Sequence, residues 1–162
     1  MNDMSAWTDF FAAMVGATSA LLGLFFVSLS LNLSTILAND GLPERAMQAL
    51  LQLLAALVVG LLLLMPGQSL IASGLEILLV AILMGLVGTV LAVRGLRRGK
   101  DHRADFIRNL AMVEISLVPW FVGGFLLLGG NAVGGYWLAV GICLSIVKAV
   151  IDSWVFLVEI NR

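Results

Sequence analysis

The chain has 162 residues, 61% of them hydrophobic and 12% charged, with a mean hydropathy of +1.09. A water-soluble domain of this length is not composed this way; stretches of about 20 apolar residues mark transmembrane helices. The net charge of −1 excludes little as a sum, but six of the nine basic residues crowd between Arg94 and Arg108. The single cysteine, Cys143, excludes an intrachain disulfide, and the single histidine, His102, lies in a different environment, so no zinc set is expected.

The opening, MNDMSAWTDFF, lacks the basic start and short apolar run of a signal peptide, so the first helix is expected to remain in the mature protein. Trp7 suits an interfacial anchor. The first span is expected from about Phe10 to Leu37, roughly 40 Å of helix, which exceeds the hydrocarbon core and calls for tilt or projection. Ala12, Gly16 and Ala20 recur at four-residue spacing, as do Ser19 and Gly23. Such rows let helix backbones approach closely, and packing within the chain is preferred here over a subunit interface. Ser28, Ser30, Asn32, Ser34 and Thr35 alternate as in a strand, but the length of the apolar segment favours helix.

Asn39-Asp40-Gly41 signals a turn, and Pro43 suits the first turn of the next helix. That second span runs from about Pro43 to Met65, with Arg45, Gln48 and Gln52 on one face. Pro66-Gly67-Gln68-Ser69 is a tight connection to the third span, about Leu70 to Val93, which contains Glu76 and the small residues Ala81, Gly85, Gly88, Thr89 and Ala92. The fourth span, about Phe106 to Leu128, carries Glu114 near its start and Pro119 near its middle, where a missing backbone donor favours a bend. The segment from Gly129 to Gly135 is a flexible connection, and Tyr136 and Trp137 anchor the start of the fifth span, about Val133 to Val158.

The fifth span carries Lys148 and Asp152 within an apolar run. On an insertion scale its thirteen Leu, Ile, Val and Phe residues contribute roughly −4 to −8 kcal/mol, against roughly 5 to 7 for the two charges. The helix is therefore marginal alone, and its polar stripe is expected to face protein or water.

The expected fold is a single all-α transmembrane domain over residues 1–162, a bundle of five helices. The basic loop of Arg94, Arg97, Arg98, Lys100, Arg103 and Arg108 belongs in the cytoplasm by the positive-inside rule. This puts the amino terminus outside and the carboxyl terminus inside. The loop could also meet anionic lipid, but topology already accounts for it, and no nucleic-acid partner is expected.

With that orientation, Ser28, Ser30, Asn32, Arg45, Gln48, Gln52, Glu114, Lys148 and Asp152 fall in the inner half, and the cheapest arrangement points them inward around a cavity open to the cytoplasm. Glu76 stands apart in the outer half near Gln68 and Ser73; it stays near water, is protonated, or faces a pore. Lys148–Asp152 reads either as an i, i+4 pair that lets a structural helix tolerate two charges, or as an ion or proton site with Glu114 as a third member. No HExxH, GxSxG, phosphate-binding glycine loop or dinucleotide fingerprint is present, so neither catalysis nor a cofactor or metal is expected.

The residues GLFFVSLSLNLSTIL (Gly23 to Leu37), LPERAMQALLQLL (Leu42 to Leu54), LLLLMPGQS and GLEILL resemble a group of small bacterial multi-spanning integral membrane proteins. The resemblance covers roughly the first half of the chain. It implies a bacterial plasma membrane but carries over no activity and no site residues. The expectation is a homo-oligomeric, channel-like protein passing an ion or small solute through the lipid bilayer. The alternatives are a non-conducting accessory subunit of another membrane protein and a proton-coupled carrier.

Overall fold

The computed structural model describes residues 7–38, 42–98 and 103–154, including their side chains except at 95–98, 103–110 and 112–113. Among the described residues the protein is wholly helical: α1 (Thr8–Leu31), α2 (Leu33–Ala38), α3 (Leu42–Leu63), α4 (Leu70–Arg98), α5 (Arg103–Leu128) and α6 (Gly134–Trp154). Four of these, α1, α3, α4 and α6, are long and apolar enough to cross a membrane. The α5 helix carries the further apolar stretch Glu114–Leu128 among the described residues.

The expected first span is not one helix. It breaks at Asn32, which leaves helical geometry at φ −111° and ψ 15°. The cause is local. Asn32 donates its side-chain amide to the carbonyl of Ser28 and Ser30 donates its hydroxyl to that of Phe26, competing with the backbone ladder. After the break α2 continues with the Ile36 amide bonded to the Asn32 carbonyl. The third span is longer than expected: α4 continues past Val93 to Arg98. Residues 155–158, assigned to the fifth span, lie outside the described residues.

The connections follow their turn chemistry. Gly67 takes φ +73° after Pro66, a conformation only glycine adopts without strain, and Ser69 caps α4 by accepting the amide of Ala72. At the end of α5, Gly130 sits at φ +72°, with its own amide bonded to the Leu127 carbonyl and that of Asn131 to Leu126, a Schellman closure. Asn131 then accepts the amide of Val133, just before α6.

The helices form a ring in the order α1, α3, α4, α5, α6, with α3 also packed against α6 across the middle. The most extensive pair is α4 with α5, where a Cβ at Gly74 would stand 2.8 Å from the carbonyl oxygen of Gly124. Between α5 and α6, Gly141 lies so close to the indole of Trp120 that no side chain fits there. Trp120 is completely buried and, with Val59, Ile77, Leu117, Leu127, Leu138 and Ile142, fills the half of the bundle nearer Pro66. A second apolar cluster of Phe25, Ile36, Ala46, Ala49, Leu53 and Ala149 joins α1, α2, α3 and α6 nearer the other end. The α1 helix is peripheral: 17% of its apolar window is buried, against 50% for α3 and α6.

The small-residue row of α1 does not pack within the chain as expected. Ala12, Gly16, Ser19, Ala20 and Gly23 are all exposed, and a Cβ built on Gly16 or Gly23 meets nothing within 4 Å. At the α1–α3 contact the small partner is instead Gly60 of α3, pressed by Val15.

Candidate functional site

Asp152, near the end of α6, is 2% exposed and binds two cations. Its Oδ2 accepts from Lys148 Nζ one turn earlier on the same helix, at 2.5 Å. Its Oδ1 accepts from Arg45 of α3, at 3.1 Å from Nη2 and 3.3 Å from Nε. The i, i+4 spacing brings Lys148 beside the carboxylate, and the antiparallel packing of α3 on α6 brings in Arg45. Lys148 is as buried as its partner, while the Arg45 side chain retains 23% exposure. Charge-assisted bonds of this kind are among the stronger hydrogen bonds, and away from water each oxygen of the carboxylate needs its donor. Glu44, the residue before Arg45, is also buried, so two cations and two carboxylates enter the bundle at this end.

The α3 helix is the hub of the polar interior. Its three polar residues after Glu44, each about one turn beyond the last, reach three different helices. Arg45 meets Asp152 on α6, Gln48 donates to the Gly88 carbonyl on α4, and Gln52 donates to the Ser116 hydroxyl on α5. Ser145, also buried, donates to the Gly141 carbonyl one turn back on α6. The result is a column of polar groups that starts at Arg45, includes Lys148, Gln48, Ser145, Gln52 and Ser116, and ends beneath Trp120. Gln52 Oε1 and Trp120 Nε1 are buried with no hydrogen-bond partner among the described residues, as is Ser28 Oγ on α1.

Of the residues expected in the polar seam, Lys148, Asp152, Gln48 and Gln52 are all buried; Lys148 bonds to Asp152, whereas Gln48 and Gln52 bond to α4 and α5. Asn32 is buried but bonds back to its own helix at the break. Glu114 does not join them: it lies on the exposed face of α5, so the expectation that it points inward as a third member of the ion site fails. The reason is angular. Glu114 and Ser116 are about 200° apart on one helix, and Ser116 takes the inward face. Glu76 stands apart as expected, half-buried and accepting a hydrogen bond from Gln68. Gln68 also lines a cavity of about 340 Å³ at the Pro66 end, with Thr8, Leu64, Ser73 and Leu127. Arg94 is exposed near the end of α4. The side chains of Arg97, Arg98, Lys100, Arg103 and Arg108 lie outside the described residues.

Sequence reasoning placed Arg45 on the face of Gln48 and Gln52 but did not assign it to Asp152. That shared face was the available signal. Nothing in the sequence marked Trp120. Among the described residues no three His, Cys, Asp or Glu side chains gather as a metal site. No known protein family, curated protein or solved structure matches this chain, and the resemblance drawn from its first half gains no support from them.

Proposed function

We propose that this chain is a five-span protein of a bacterial plasma membrane, with its amino terminus outside and its carboxyl terminus inside, and that it works as a homo-oligomer passing an ion or small solute. The observation that carries the reading is the Arg45–Asp152–Lys148 cluster, continued by Gln48 and Gln52 inside an otherwise apolar bundle. Well-packed apolar side chains in place of a buried ion group are often neutral or stabilising by about 1–4 kcal/mol, so stability alone does not call for these charges. Intramembrane ionisable groups that face a bundle interior commonly mark ion or solute routes. The basic residues from Arg94 onward support placing the Arg45 end in the cytoplasm. The packed layer at Trp120 favours a gated passage over a standing pore.

A second reading, an accessory subunit bound to another membrane protein, is favoured by two outward features: the small-residue face of α1 and the exposed Glu114. Both suit contact with a neighbouring helix, from a second copy or from a different protein. Reconstitution in proteoliposomes tests the first reading. Flux of common ions or small neutral solutes that is lost in Lys148→Met, with the particle intact, is the expected result. Absence of flux, together with a stable heteromeric complex in mild detergent, favours the second.

A further inference from the structure

Two unfilled hydrogen-bonding valences of opposite kind lie near each other inside the bundle. Trp120 is completely buried, and its indole Nε1 has no acceptor among the described residues. Gln52 is 2% exposed, and its Oε1 has no donor among them. The Gln52 amide nitrogen is held by Ser116, four residues before Trp120 on α5 and therefore one turn, about 6 Å, below it on the same face. Buried donors and acceptors of this kind are almost always satisfied, by protein or by an enclosed small molecule.

The pairing selects the guest. It must accept from the indole N–H and donate to the amide oxygen. A simple anion cannot donate, a metal cation cannot accept, and an apolar guest does neither. We propose that Gln52 and Trp120 form a binding place for a small neutral molecule that donates and accepts at once, water above all, supplied along the polar column from the Arg45 end. Arg45, partly exposed, opens that column. Lys148 follows, with one of its three ammonium protons directed to Asp152. Ser145 stands about one turn from Lys148 on α6, and Gln52 and Ser116, bonded to each other, continue it. The stop is the contact of Trp120 with Gly141, beyond which the interior is the apolar cluster of Val59, Leu138 and Ile142. The polar column thus ends on an indole, at the Trp120–Gly141 contact. This deepens the transport reading and rests on the same column, but occupancy is read in detergent without any flux. A wet site with no transport, or transport with a dry site, would separate the two.

The experiment is nuclear magnetic resonance of protein labelled with ¹⁵N at its indoles, in detergent micelles. Trp120 is assigned by elimination, using Trp7→Phe, Trp137→Phe and Trp154→Phe, whose rings are partly or fully exposed. The expected result is direct magnetisation transfer from water to the Trp120 indole proton despite its burial. In Gln52→Leu the exchange of that proton with water should slow by at least about tenfold, the loss of roughly one hydrogen bond. A Trp120 indole with no water contact, exchanging as slowly as the backbone amides of the apolar core, would overturn the proposal in the native chain whether or not the variant folds. So would an indole resonance that moves saturably with added bromide, which would make the guest an anion.

Discussion

Arg45 and Asp152 meet at 3.1 Å although 107 positions separate them, and Lys148 holds the other oxygen of the same carboxylate. One anion therefore serves two cations on two helices. Removing the anion leaves both cations without it, whereas removing either cation leaves the carboxylate still bound by the other. Asp152→Leu is expected to lower stability by about 3–5 kcal/mol, and Lys148→Met by clearly less. Replacing all three, as Arg45→Met/Lys148→Met/Asp152→Leu, should recover much of the loss. Unfolding midpoints in detergent give the ranking, and a Lys148→Met loss equal to that of Asp152→Leu would contradict it.

The contact of Trp120 with Gly141 leaves no room for a methyl group. Gly141→Ala is expected to cost about 1–3 kcal/mol through overpacking. Trp120→Phe in the same chain should return part of that, because the smaller ring vacates the space. The check is the unfolding midpoint of the two single variants and the double variant. Simple additivity would show that the ring and the glycine do not meet.

Glu114 faces outward, away from the ion cluster. Glu114→Gln and Lys148→Met are therefore expected to act independently, their effects on stability adding to within about 0.5 kcal/mol. A coupling energy well above that, measured by a double-mutant cycle, would place Glu114 back beside Lys148.

The exposed small-residue face of α1 makes no close contact inside the protomer. Gly16→Leu should leave the unfolding midpoint of the protomer within about 0.5 kcal/mol of the parent. If copies of the chain meet on this face, the same substitution lowers the protein mass of the detergent-solubilised particle, with bound detergent subtracted. An unchanged mass from an oligomeric parent would move the subunit contact to another helix.

The helical character and the four long apolar helices were legible because length and hydrophobicity alone define a potential membrane crossing. The depth of the polar residues was read from helical rise, and Gln48, Gln52, Lys148 and Asp152 are all buried, with Lys148 bonded to Asp152. Direction around each helix was harder. The rule that polar groups point inward has one vacancy per helix face, and on α5 two candidates competed for it. Ser116 suits a short bond to Gln52, so the longer, charged Glu114 was displaced outward. The same limit applies to α1. Its buried seam of Phe11, Thr18, Phe25 and Ser28 faces Gly60 of α3, so the close approach was supplied by the partner helix and the glycines of α1 were left outside. The break at Asn32 was hidden because a polar run inside a long apolar segment looks the same whether its side chains face the solvent or bond back to the main chain.

The division of Asp152 between α3 and its own helix bears on biogenesis. A ribosome makes α3 with Arg45 long before it makes α6, so a partly buried arginine must wait through the synthesis of two intervening helices for its counter-ion. The α6 helix arrives with Lys148 and Asp152 already neutralising one another by the i, i+4 bond, which eases its own entry into the bilayer. A chain halted before Gly134 would hold Arg45 without Asp152 and Trp120 without its cover, and such a product is the kind that membrane quality-control proteases remove.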